Sequence, residues 1–140
     1  MKALRRLLAG VVMVATATVS GSAAEVLPGA ADSDMTVEVD SVMFRSDVTR
    51  VYCRILGRPH TSQRIDCTSL VVNGTELNGT DIDGVDFERY FQWEDEGVIP
   101  LELDFAPTRK SKKVQVKLLT LRGIISSPSV TLNRAGRAVK

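Results

Sequence analysis

Apolar and polar residues alternate with a period of two along most of the chain after residue 35, as in β-strands with one buried face. The clearest run is LELDF at 101–105, in which three apolar residues alternate with two acids. Other runs of this kind occur at residues 37–44, 51–55, 65–72, 114–118 and 129–132. The pattern therefore predicts strands rather than helices for most of the chain.

Residues that favour turns separate these runs. They are Gly57-Arg58-Pro59, Asn73-Gly74, Asn78-Gly79, Asp83-Gly84, Ala106-Pro107 and Arg122-Gly123. Short strands punctuated in this way are typical of β-sandwiches and barrels. We therefore expect an all-β fold, namely a single-domain antiparallel β-sandwich of immunoglobulin-like architecture with about seven strands.

The segment VDFERYFQW at 85–93 contains most of the aromatic residues and leaves two interpretations open. Apolar residues occupy its odd positions, as in a strand, but Arg89 interrupts the alternation. In a helix, Phe87, Tyr90 and Phe91 would share one face. We favour a strand because aromatic residues are enriched in strands. We expect these rings to lie in the core rather than to form an exposed binding ridge.

The pentapeptides NGTEL and NGTDI follow each other at residues 73–82. Asn-Gly favours the positive φ angles of a type I′ hairpin turn. We therefore interpret the repeat as two closely spaced turns around a very short edge strand. Both pentapeptides also match the N-x-[ST] glycosylation sequon, which matters only in a eukaryotic secretory pathway.

Acidic residues continue beyond the repeat and leave a calcium site open as an alternative. A helix-loop-helix calcium loop does not fit. With Gly84 as its central glycine, the first and last ligand positions fall on glycine and tyrosine. A looser calcium site built from Asp81, Asp83 and Asp86 remains a hypothesis, since a divalent ion relieves the repulsion between clustered carboxylates. We expect no other cofactor.

The N-terminus has the composition of a secretory signal peptide. Lys2, Arg5 and Arg6 precede a mostly apolar run at 7–19, and small residues at 22–24 suit a signal peptidase. The apolar run is shorter than the roughly 20 residues of a membrane span. We expect a soluble protein exported to the periplasm or the extracellular space. Its expected organisation is a signal peptide at 1–24, a flexible leader at 25–34, a β-sandwich domain at 35–133 and a basic tail at 134–140.

The charge of the chain is close to balanced. Removing residues 1–24 takes away three of the 18 basic residues and none of the 17 acidic ones, which leaves a formal charge of −2. This balance gives no reason to expect nucleic acid as a partner. The basic run RKSKK at 109–113, with Arg134, Arg137 and Lys140, is interpreted as charge that solubilises loops and protects strand edges. A basic patch that steers a charged partner is the alternative.

The two cysteines, Cys53 and Cys67, predict one disulfide in an exported protein. They are equally distant from His60, so a hairpin centred on that residue would pair them across neighbouring strands. Two free buried thiols are the alternative.

No set of catalytic residues is recognisable in the sequence. His60 is the sole histidine, and neither a nucleophile elbow nor a glycine-rich phosphate loop is present. We therefore do not expect an enzyme.

The predicted function is that of an exported, non-catalytic binding or accessory protein with a protein partner. Contacts are expected from the loop that contains Arg58, His60 and Arg64, from the loop at 81–88, or from a strand edge. One alternative is an inhibitor or immunity-type protein that blocks an exported hydrolase or toxin with a disulfide-tethered loop. The other is a calcium-dependent binding module.

Overall fold

The computed structural model describes residues 35 to 139, so the predicted signal peptide and leader lie outside the described residues. All regular structure in this range is β-strand. The strands are β1 Thr36–Phe44, β2 Thr49–Leu56, β3 Ser62–Val72, β4 Thr75–Asp83, β5 Tyr90–Gln92, β6 Val98–Phe105, β7 Lys113–Thr120, β8 Gly123–Ser126 and β9 Val130–Thr131. Residues 35 to 139 contain no helix that could cross a membrane.

The strands form one antiparallel sheet in the order β8-β7-β3-β4-β6-β2-β1, with β9 paired to β7 and β5 paired to β3. The two ends of this path, β8 and β1, approach each other. The C-terminal segment, residues 132–139, lies along part of β1. There, Val42 N donates to Gly136 O and Ala138 N donates to Asp40 O, both at 2.8 Å. The sheet is therefore nearly closed into a barrel.

The prediction of an all-β antiparallel fold is confirmed, but the two-sheet sandwich is not. The reason lies in β4, whose first half pairs with β3 and whose second half pairs with β6. This single strand joins the two halves of the sheet. The sequence interpretation divided it at Asn78-Gly79, which lies inside β4 rather than in a turn. The other pair, Asn73-Gly74, does form a turn, with φ angles of 52° and 74°.

The alternation in the sequence corresponds to the two faces of the sheet. In β6, for example, Leu101, Leu103 and Phe105 are buried, whereas the acids between them are partly exposed. The buried apolar side chains form one core, to which β1, β2, β3, β6 and β7 all contribute.

The aromatic segment is only partly strand. β5 covers residues 90–92, and residues 85–89 are irregular. Trp93 is buried, Phe87 and Phe91 pack against the core, and the ring centroids of Phe91 and Trp93 lie 5.4 Å apart. The expectation of core aromatics is confirmed for these three residues, whereas Tyr90 is exposed.

The predicted disulfide is wrong. Cys53 and Cys67 are free, the first buried and the second exposed. The two cysteines lie on strands that are not neighbours, because residues 57–61 cross to the other half of the sheet instead of closing a hairpin. In addition, the β3–β7 register shifts between Ile65 and Cys67, which turns the thiol of Cys67 away from the core.

Candidate binding surfaces

The predicted binding loop is only partly assembled. Arg58 and His60 are exposed together in the connection between β2 and β3. Arg64 lies on β3, where its Nε donates to Asp66 Oδ1 at 2.7 Å and its guanidinium lies 5.7 Å from the ring centroid of Tyr90. The hydrogen bond with Asp66 raises the pKa of Arg64. Arg64 is therefore held on the sheet rather than in the loop.

The loop at 57–61 is fixed by hydrogen bonds to the connection that follows β5. His60 N donates to Trp93 O, Trp93 N donates to Thr61 O, and Gly57 N donates to Gly97 O, each at 2.9 Å. A Cβ atom on Gly57 would lie 2.1 Å from Cε2 of the Trp93 indole, so the loop packs directly on this ring. The preorganisation that we expected from a disulfide is thus provided by a buried tryptophan.

The backbone of this loop is strained at its exposed tip. His60 has a φ angle of 66°, in a region that non-glycine residues adopt infrequently. Its Nε2 atom lies 2.9 Å from Asp95 Oδ1, and both side chains are largely exposed. The tip therefore presents an imidazole and a carboxylate to solvent within hydrogen-bonding distance of each other.

The structure does not gather the predicted calcium ligands into a metal site. Asp81 and Asp83 lie on β4 opposite Asp104 and Glu102 of β6, and Asp86 follows in the next connection. Within residues 35 to 139, no group of three or more His, Cys, Asp or Glu side chains has the arrangement of a metal site.

The acidic side chains that lie opposite each other on β4 and β6 repel one another, and an arginine of β2 offsets part of this repulsion. The guanidinium of Arg50 donates two hydrogen bonds to the carboxylate of Asp104, of 2.8 and 3.1 Å. These bonds raise the pKa of the Arg50 guanidinium. The acidic pairs across β4 and β6 are thus partly neutralised by a side chain of the neighbouring strand.

A surface that the sequence interpretation missed lies on the β7–β8 hairpin. Leu119, Leu121 and Ile124 expose 38%, 57% and 66% of their surface, and we call these three residues the hairpin patch. Leu119 and Ile124 are directly opposite each other in the strand register, and Leu121 lies in the turn that joins the strands.

The sequence does contain a signal for this patch. In the doublets Leu118-Leu119 and Ile124-Ile125, two consecutive residues are apolar. Because consecutive side chains of a strand point to opposite faces of the sheet, one residue of each doublet must face outwards.

Cys67 borders the hairpin patch. It lies opposite Leu119 in the register of β3 and β7, on the same outer face. By contrast, Cys53 is 2% exposed, and burial, with a contribution from Asp40, raises the pKa of its thiol to about 12. The two thiols therefore differ strongly in reactivity, because the thiolate is the nucleophile.

We expect a thiol-alkylating reagent at pH 8, without reductant, to add one label to the native protein and two to the unfolded protein. Intact-mass analysis gives the number of labels, and peptide mapping should locate the native label on Cys67. A Cys67→Ser variant is the control and should take up no label while folded. If neither thiol of the unfolded, unreduced protein reacts, a disulfide joins the two cysteines, and the assignment of two free thiols is contradicted.

No protein-family model matches this chain, and searches of curated proteins and of solved structures found no match either.

Proposed function

We propose that the chain is an exported, non-catalytic binding protein that holds a protein partner through the hairpin patch and the adjoining edge strand β8. The observation that carries this proposal is the exposure of three large apolar side chains on one short hairpin. Isolated exposed apolar residues are common on soluble proteins, but contiguous ones indicate an interaction surface.

The hairpin patch includes an apolar residue in a turn. Turns are normally built from glycine, proline, asparagine, aspartate or serine, yet Leu121 occupies the β7–β8 turn. Burying a leucine or isoleucine side chain completely contributes about 1.5–3 kcal/mol. Covering Leu121 and Ile124 with a partner is therefore a substantial source of affinity.

The strand beside the patch lacks the usual protection of a sheet edge. β8 has the sequence GIIS and ends the strand order. Among the described strands it pairs with β7, and it approaches β1 without pairing to it. Edge strands are commonly shielded by charged residues or proline, and β8 has neither. An extended apolar segment of the partner, laid along β8, would cover the patch and use the backbone groups of this edge.

We expect the double substitution Leu121→Asp and Ile124→Asp to lower the recovery of the partner at least about tenfold, since charges replace the buried contact. Wild-type and variant mature chains, residues 25–140, are immobilised and exposed to the native extracellular or envelope fraction. Mass spectrometry then quantifies each retained protein. Val139→Asp is the matched control, because Val139 is also an exposed apolar residue but lies near the C-terminus.

Equal recovery of every retained protein by the wild type and the double variant would contradict this proposal. The melting temperatures of both variants are measured first, so that loss of fold is separated from loss of binding. If deletion of residues 25–34 speeds the alkylation of Cys67, a segment of the same chain covers the patch, and the proposal of a separate partner fails.

A second candidate function is that of an inhibitor or immunity-type protein acting through the loop at 57–61. The observation in its favour is the fixed backbone of this loop, since a preorganised loop loses little entropy on binding. In the same recovery experiment, Arg58→Ala with His60→Ala would then abolish retention of a hydrolase or toxin, while the hairpin variant would retain it.

A further inference from the structure

Basic side chains from two distant parts of the sequence meet at the end of the sheet opposite the β7–β8 turn. One group belongs to the connection between β6 and β7, and the other to the C-terminal segment. The residues are Arg109, Lys110, Lys112, Lys113, Arg134 and Arg137, all of them exposed, and we call them the basic cluster.

Hydrogen bonds hold the two groups together. Lys110 Nζ donates to the carbonyl oxygen of Arg134 at 2.9 Å, and Leu132 N donates to Lys112 O at 2.7 Å. On the other side, Asn73 Nδ2 donates to Arg109 O at 2.8 Å. Residues 134–139 of the predicted basic tail thus return to the sheet and join the basic run at 109–113, whereas Lys140 lies outside the described residues.

The positive charge of the basic cluster is not compensated locally. None of its six members forms a salt bridge with another residue in the range 35–139. The nearby acid Asp40 is already bound by Arg54, at 3.0–3.2 Å. Because residues 35–139 contain equal numbers of basic and acidic residues, this end of the sheet is positive through segregation of charge.

Two clefts adjoin in the basic cluster. The first has a volume of about 410 Å³, and its lining includes Lys110, Arg134 and Arg137 together with Tyr52 of β2. The second has a volume of about 380 Å³ and is lined by Lys110, Lys112 and Arg134 together with Ser111, Leu132 and Asn133. Lys110 and Arg134 border both clefts, so the cations form a continuous series rather than a single anion pocket.

We propose that this pair of clefts binds an acidic polysaccharide, with the basic cluster on its carboxylate or sulfate groups and Tyr52 against a sugar ring. A polymer with anionic groups at regular intervals matches a series of cations across two adjoining clefts. Guanidinium groups bind carboxylate and sulfate with two parallel hydrogen bonds. This site is separate from the hairpin patch and does not depend on the function proposed above.

Two observations favour a glycan over other polyanions. An acidic peptide would gain most from strand addition, but the part of β1 beside the first cleft is already paired with residues 136–138. Nucleic-acid-binding domains are usually strongly basic as a whole, whereas the described residues have no net charge. Recognition by side-chain cations and an aromatic side chain suits a sugar polymer.

The test measures the binding of fluorescent oligosaccharides to the mature chain by anisotropy at low salt. One arm uses a sulfated glycosaminoglycan fragment and the other a polyuronate fragment, so that sulfate and carboxylate ligands are distinguished. We expect saturable binding of at least one, weakened by added salt because exposed charges are screened. The triple substitution Lys110→Gln, Arg134→Gln and Arg137→Gln should weaken it at least about tenfold.

The matched control is Arg58→Gln with Arg89→Gln and Lys117→Gln, which removes the same charge outside the basic cluster and should change affinity less than about twofold. Melting temperatures establish that both triple variants are folded. Three results would overturn the proposal. They are no binding of either glycan, equal weakening in both triple variants, or tighter binding of a single-stranded oligonucleotide or a polyglutamate peptide of equal charge.

Discussion

Replacing Trp93 with alanine is expected to lower the free energy of unfolding by about 3–5 kcal/mol, the largest effect that we foresee for a single substitution. Trp93 is 1% exposed and packs edge-on against Phe91 and beneath Gly57. Chemical denaturation of residues 25–140 measures the loss. Tyr90→Ala is the control, because Tyr90 is 65% exposed and its removal should cost less than about 1 kcal/mol.

Two further substitutions separate the shape of the indole from its polarity. Gly57→Ala should also destabilise the protein, since the added Cβ would overlap the ring of Trp93. Trp93→Phe should cost less than Trp93→Ala, because the indole Nε1 is buried without a hydrogen-bond partner among the described residues. Equal stability losses for Trp93→Ala and Tyr90→Ala would show that the indole is not part of the core.

The loop at 57–61 depends on the same residue. The backbone of Trp93 hydrogen-bonds both His60 and Thr61, so loss of the indole should loosen the loop before the whole domain unfolds. Hydrogen exchange at the amides of His60 and Trp93 would therefore accelerate in Trp93→Ala. If the loop has the inhibitory function considered above, binding would weaken in this variant even under conditions where it is fully folded.

The strands could be predicted from the sequence because each of them carries its own periodicity. LELDF at 101–105 is buried and exposed in the predicted order, and the runs at 51–55 and 114–118 behave in the same way. The order of the strands could not be predicted, because it depends on pairings between residues that are distant in sequence. The symmetric spacing of Cys53 and Cys67 about His60 illustrates this limit, since the intervening loop crosses the sheet and closes no hairpin.

For the candidate surfaces, too, the sequence showed the residues but not the contacts between them. The basic residues at 109–113 and near the C-terminus were recognised, but their contact through Lys110 and Arg134 follows from the return of the chain to β1. The doublets around Leu119 and Ile124 were visible in the sequence. Their meaning depends on which member of each doublet faces the core, and this is set by the register between β7 and β8.

The repeated Asn-Gly pairs give the clearest example of a local turn preference that tertiary packing overrides. Gly74 has a φ angle of 74° in the turn between β3 and β4, as Asn-Gly predicts. Gly79 lies within β4, and its lack of a side chain has a different reason. A Cβ there would lie 1.8 Å from Oγ1 of Thr68, a residue that is 2% exposed. The glycine of Asn-Gly is therefore required for its backbone conformation at residue 74 and for its lack of a side chain at residue 79.

Gly79→Ala is accordingly expected to lower the free energy of unfolding by about 1–3 kcal/mol, because it overpacks the site beside Thr68. Gly74→Ala should cost about 1–2 kcal/mol for another reason, the left-handed backbone.

A double-mutant cycle with Thr68→Ala distinguishes the two causes of destabilisation. The hydroxyl of Thr68 is buried without a partner among residues 35 to 139, so removing it should restore most of the stability lost in Gly79→Ala. Thr68→Ala should not alter the stability that is lost in Gly74→Ala. If the effects of Thr68→Ala are additive with both substitutions, Gly79 has no packing role, and β4 does not pass Thr68 as the structure has it.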